Sequence, residues 1–130
     1  MATVTFRDET MTGKPIAEFS VPDLPSTIAL RDLIRLRVRE EVARHNAAPT
    51  ELYQGLVRPT DAETALNGFR LPKARTLDWE KQAAIALDAF GRNGFIVLVG
   101  ERQVDDPGAL IDLDRDPAIS FVKLVPLVGG

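Results

Sequence analysis

The stretch Ile119-Ser-Phe-Val-Lys-Leu-Val-Pro-Leu-Val-Gly-Gly130 decides how this chain is read. Residues 119–125 carry β-branched and apolar side chains and predict a strand. The strand runs straight into a short tail, residues 126–130, that ends in two glycines. At an average glycine frequency of about 7%, a terminal Gly-Gly arises by chance in only about 0.5% of chains. That rarity favours a functional tail over a frayed end, the common fate of termini.

Working back from the tail, Phe95-Ile-Val-Leu-Val99 is an unbroken apolar run of the kind found at a sheet centre. A turn at Gly100-Glu101 leads to a short strand at 102–104, and Ala109-Leu-Ile-Asp-Leu113 carries apolar plugs between two Asp/Pro loops. At the other end, residues 3–7 and 16–21 alternate around the turn formers of 8–15 and predict a hairpin. Within its second strand, Ile16 and Glu18 point one way and Ala17, Phe19 and Val21 the other.

Between these strands lie two helical patterns. Leu30, Leu33, Ile34, Val38 and Val42 recur at helical spacing, with Ser26 or Thr27 as the expected N-cap. Arg31, Arg35, Arg37, Arg39 and Arg44 alternate with Asp32, Glu40 and Glu41, and no aromatic residue lies among them. They read as a solvated helix face rather than a nucleic-acid surface. Residues 78–90 form the second helix, with Trp79, Ala83, Ala86, Leu87 and Phe90 on one face and Asp78 or Thr76 as cap. Trp79 is expected to be a core anchor.

Residues 47–77 keep apolar anchors (Leu52, Tyr53, Leu56, Val57, Leu66, Phe69) and are too hydrophobic for a linker. Short helical turns are expected at 51–57 and 60–68, with Thr60 and Glu63 as a capping box and Asn67-Gly68 as a turn.

The composition is 45% hydrophobic and 27% charged over 130 residues, which suits one soluble globular domain spanning 1–130. With no cysteine and one histidine, thiolate metal sites, thiol nucleophiles and the usual catalytic constellations are absent, so no enzyme is expected. His45 reads as a surface residue. The net charge of -3 argues against nucleic-acid binding. No apolar run reaches the roughly 20 residues a membrane helix needs, and the amino terminus lacks a signal peptide, so a cytoplasmic location is expected.

The order of strand, turn, strand, helix, then strand, short strand, loop and final strand predicts an α+β fold with a mixed sheet. Its first and last strands would lie parallel in the middle, the β-grasp arrangement. At this point the chain resembles the ubiquitin-like β-grasp proteins over residues 3–46 and 95–130, and most specifically a bacterial protein modifier. Its tail, Leu124-Val-Pro-Leu-Val-Gly-Gly130, is also similar to those of the molybdopterin synthase small subunit and the thiamine sulfur carriers. Residues 47–94 depart from the family pattern as a helical insertion between the main helix and the third strand.

The resemblance implies that a partner activating enzyme uses ATP to adenylate the Gly130 carboxylate. This chain itself would bind no cofactor or metal. A conjugating enzyme, a deconjugating peptidase and protein targets would complete the set of partners. In a sulfur carrier the same adenylate would instead become a thiocarboxylate; in a non-conjugated β-grasp interaction module the glycines would be inert. Gly129 would give access in a narrow channel because it lacks a side chain. Leu124, Leu127 and Val128 would be apolar handles, and Pro126 would limit flexibility before the reacting end. Residues 126–130 reach roughly 16 Å when extended. Lys14, Lys73, Lys81 and Lys123 are candidate acceptors for a second copy.

Overall fold

Alternation near the amino terminus puts Ala2, Val4 and Phe6 inside and leaves Thr3 and Arg7 exposed, as in a strand buried on one face. The computed structural model describes residues 1–10, 12–13, 15–65 and 68–124. In chain order its strands are β1 (Ala2–Glu9), β2 (Pro15–Leu24), β3 (Thr27–Ala29), β4 (Leu52–Tyr53), β5 (Glu63–Ala65), β6 (Gly68–Arg70), β7 (Phe95–Val99), β8 (Arg102–Gln103), β9 (Leu110–Asp112) and β10 (Ala118–Lys123). The helices are α1 (Leu30–Ala47) and α2 (Trp79–Gly91), and the fold is α+β with a mixed sheet. Two compact units divide the chain: residues 1–31 with 90–130, and residues 32–89.

The first unit holds a five-stranded sheet in the order β2-β1-β10-β7-β8. Its middle is the parallel pair β1–β10, with Thr5 opposite Ala118 and Glu9 opposite Val122. β7 runs antiparallel on the far side of β10, with Ile119 opposite Val99 and Lys123 opposite Phe95. Ile119, Ser120, Phe121 and Val122 are buried in succession, so β10 is covered on both faces. The expected final strand, 119–125, starts one residue earlier, and Val125 lies outside the described residues.

β2 runs beyond its expected end, through Pro22. An edge strand tolerates proline because a missing amide there breaks no ladder bond to a further strand. The register with β1 slips between Ala2 and Val4, where Thr3 faces both Pro22 and Asp23. Asp23 takes a left-handed φ of 65° at this bulge. Phe19 and Val21 are half-buried as their shared parity predicts, whereas Ile16 is exposed.

Neither Ser26 nor Thr27 caps α1. Residues 27–29 pair with β9 instead, and the Leu113 amide donates to the Ser26 carbonyl at 2.7 Å. The helix begins at Leu30, and its first amides are satisfied from far along the chain. Leu30 donates to the Ala109 carbonyl and Arg31 to the Pro107 carbonyl, each at 2.9 Å. Any well-placed acceptor relieves the unpaired amides of a first turn, and here a loop does what a side chain was expected to do.

In the second unit, Leu33, Ile34, Val38 and Val42 are buried as their spacing predicts. The expected helical turns at 51–57 and 60–68 are instead a three-stranded antiparallel sheet in the order β4-β6-β5. Asp61, at φ 67°, is left-handed, so no helix propagates from Thr60, and such short segments could not offset helix nucleation. Gly68, at φ 146°, sits so close to β4 that a Cβ would lie 2.7 Å from the Tyr53 carbonyl oxygen. The preceding part of the expected turn, Asn67, is outside the described residues, as is the anchor Leu66. Asp78 does cap α2: its Oδ1 accepts the amides of Glu80 at 3.0 Å and Lys81 at 3.4 Å.

Phe121 is fully buried, with ring centroids 5.9 Å from both Phe6 and Phe95. Replacing it with alanine removes the meeting point of three strands. Phe121→Ala should lower unfolding free energy by about 3–5 kcal/mol, measured by urea denaturation.

Candidate functional site: the exit of the last strand and a buried polar rail

The residues singled out for function begin where β10 ends. Lys123, its last residue, is half-buried and pairs with Phe95 of β7. On the other side, Asp8 and Glu9 of β1 stand opposite Phe121 and Val122. The chain thus leaves the sheet between an acidic strand end and an aromatic one. Leu124 follows, half-buried, and is the only handle residue within the described range. Pro126, Leu127, Val128, Gly129 and Gly130 lie outside it. Of the candidate acceptor lysines, Lys73 and Lys81 are exposed and Lys14 lies outside the described residues.

A second arrangement, in the unit 32–89, was not legible as such. Arg37, expected on the solvated face, is buried at 2% exposure, and Glu41 is buried beside it. Arg37 Nε donates to Glu41 Oε1, while Glu41 Oε2 accepts the Leu56 amide at 2.8 Å. One turn on, His45 is half-buried rather than a free surface residue. Its Nε2 contacts the Arg75 carbonyl oxygen at 2.8 Å, and its ring meets Tyr53 edge-on at 5.4 Å. Asn46 closes the series, with its side-chain amide donating to the Leu77 carbonyl and its oxygen accepting the Leu77 amide.

Positions 37, 41 and 45 follow one another at intervals of four and form a polar rail along α1. That rail holds the irregular chain of 51–77 through its backbone. The readable signal was position: 37 and 41 continue the spacing of the buried stripe, although their charge argued for solvent. No side-chain N or O atom buried among the described residues is left without a partner.

Tyr53 is 1% exposed. Burial above all, and then the nearby Glu41 carboxylate, push its phenol well above the ordinary 10.0; a hydrogen bond with Gln82 and the Arg37 charge pull it back in part. Gln82 Nε2 also donates to the Val57 carbonyl at 3.3 Å. An open pocket lies beside this region, with Thr60, Asp61, Arg75, Asp78 and Lys81 on its walls. Its mixed charges define no single ligand. Among the described residues no cluster of three or more His, Asp or Glu is placed to hold a metal, and no helix is long and apolar enough to cross a membrane.

Two outcomes follow for the rail. Glu41→Ala removes the carboxylate beside a buried guanidinium and frees the Leu56 amide, so it should cost about 3–5 kcal/mol in urea denaturation. The double change Arg37→Met/Glu41→Leu should recover most of that loss, because it removes both charges together. The Tyr53 phenol gives a pH dependence. Its folded pKa is raised, so its contribution to stability is fully present below about pH 10 and is lost as pH rises beyond the unfolded value. Tyr53 is the only tyrosine, so phenolate absorbance should stay flat through the ordinary tyrosine range and rise only as the protein unfolds. Comparison with known proteins gave no match to the chain among family models, curated proteins or solved structures.

Proposed function

We propose that this chain is a ubiquitin-like β-grasp protein modifier, activated at the Gly130 carboxylate and joined to amines of target proteins. One observation carries the reading. The last strand, β10, lies parallel to β1 in the middle of the order β2-β1-β10-β7-β8, as a β-grasp sheet requires, and leads towards Leu124 and the diglycine Gly129-Gly130.

A carboxylate is a poor electrophile. The activating enzyme couples it to ATP, giving the acyl-adenylate and pyrophosphate. A partner cysteine thiolate attacks the carbonyl and releases AMP; a target lysine amine then displaces the thiolate to form an isopeptide bond. A conjugating enzyme carries the thioester, and a deconjugating peptidase reverses the linkage. All the catalysis belongs to these partners. The chain supplies a reacting end without a side chain at Gly129 or Gly130, an apolar handle at Leu124, Leu127 and Val128, and Pro126 to reduce the ordering cost on docking. On this reading the partners and the chain meet in the cytoplasm, where ATP is supplied.

The test is an immunoblot of host cells expressing an amino-terminally tagged copy. Higher-mass adducts that survive reducing agent should appear and should vanish on deletion of Gly130. Adducts that persist without Gly130, or none in the intact protein, would overturn the proposal. An intact-mass gain matching one oxygen replaced by sulfur would identify a sulfur carrier instead.

A further inference from the structure

Two arginines of α1 lean on the lone tryptophan of the chain. The Arg35 guanidinium carbon lies 5.4 Å from the Trp79 ring centroid and that of Arg39 lies 5.8 Å from it. Trp79 is half-buried rather than the core anchor its sequence position predicts; Arg35 is half-buried and Arg39 exposed.

Arg35 and Arg39 stand one helical turn apart, where two like charges destabilise a helix by about 0.2–0.5 kcal/mol. Stacking on a shared indole offsets that repulsion and fixes both forks in place. Neither has a carboxylate within ion-pair distance among the described residues, whereas Arg7, Arg37 and Arg102 each have one. For Arg39 the helix explains why: it has Arg35 and Ala43 at four residues and Leu36 and Val42 at three, with no acid among them. Arg35 has Asp32 at three residues, but no ion pair joins them. The result is a pair of oriented, uncompensated guanidiniums beside an aromatic face. Planar guanidiniums held in this way take carboxylates through paired hydrogen bonds.

We propose that Arg35, Arg39 and Trp79 form a docking site for the carboxylates of an acidic segment of a partner protein. Charge complementarity selects the occupant. A nucleic-acid strand would need a longer basic track, whereas this chain carries a net charge of -3. Two adjacent acidic side chains need only the two forks. The site is independent of the carboxyl-terminal tail, so its failure and that of the modifier reading are separate results.

Trp79 is itself the reporter, because no other tryptophan contributes to the fluorescence. A hexaglutamate peptide with blocked ends should produce a saturable change in Trp79 emission in the intact chain, weakened by added salt. Arg35→Gln and Arg39→Gln should each weaken binding about tenfold, a typical loss for one charge-assisted contact. Arg35→Lys keeps the charge but loses the fork, so it should bind more weakly than the native chain while melting at the same temperature. The proposal is overturned by any of three results: no saturable change, equal binding by the Arg35→Gln/Arg39→Gln double variant while still folded, or tighter binding of a single-stranded oligonucleotide than of the peptide.

Discussion

Parallel pairing of β1 with β10 is the constraint on which the sheet depends. Two parallel strands cannot be joined by a tight turn, so a long connection must lie between them. Here residues 10–117 form that connection and supply β2, β7 and β8 to the same sheet on the way. β2 is added to one side by a hairpin and β7–β8 to the other, each by local antiparallel pairing. With β10 in the middle, both of its edges are satisfied, and Phe121 meets Phe6 on one side and Phe95 on the other. Break the parallel pairing and a two-stranded hairpin, β2-β1, and a separate three-stranded piece, β10-β7-β8, remain; the hairpin is of a kind that is marginal alone.

Within residues 32–89 the comparable role falls to Glu41. A buried carboxylate must be paired and hydrogen-bonded to be tolerated. Glu41 meets both conditions by directing one oxygen to Arg37 and the other to the Leu56 amide. This arrangement adds little net stability over a hydrophobic pair, but it fixes geometry, since the Leu56 backbone must come to one place on α1. His45 and Asn46 do the same for Arg75 and Leu77. Short strands that could not stand alone are thereby held by side chains of a neighbouring helix.

What the sequence revealed and concealed follows from this division. The sheet strands, the parallel middle and the apolar stripe of α1 were legible because periodicity and burial agree there. The Asp78 cap was legible for a similar reason, since a short side chain reaches its own helix. The start of α1 was not: its acceptors, Pro107 and Ala109, are backbone carbonyls more than seventy residues away, and a carbonyl leaves no residue signature. Arg37 was misplaced because charge was weighed above position. Trp79 was misread because a tryptophan face can be covered by arginine as well as by core. At the candidate site, only Leu124 falls within the described residues, so the tail is known by its sequence alone.

The position of β10 also governs when the molecule can fold. A ribosome delivers β1 first and the middle strand of the same sheet only after residue 118 has been made. Until then β1 and β7 expose the edges that β10 will pair with, including those at Phe6, Val97 and Val99. The amides that start α1 wait likewise for the loop at 107–109. Contacts so distant along the chain make assembly slow and late, and leave the nascent form sticky in the interval. The local pairs β1–β2 and β7–β8 can form early, but the five-stranded sheet is complete only when β10 joins them.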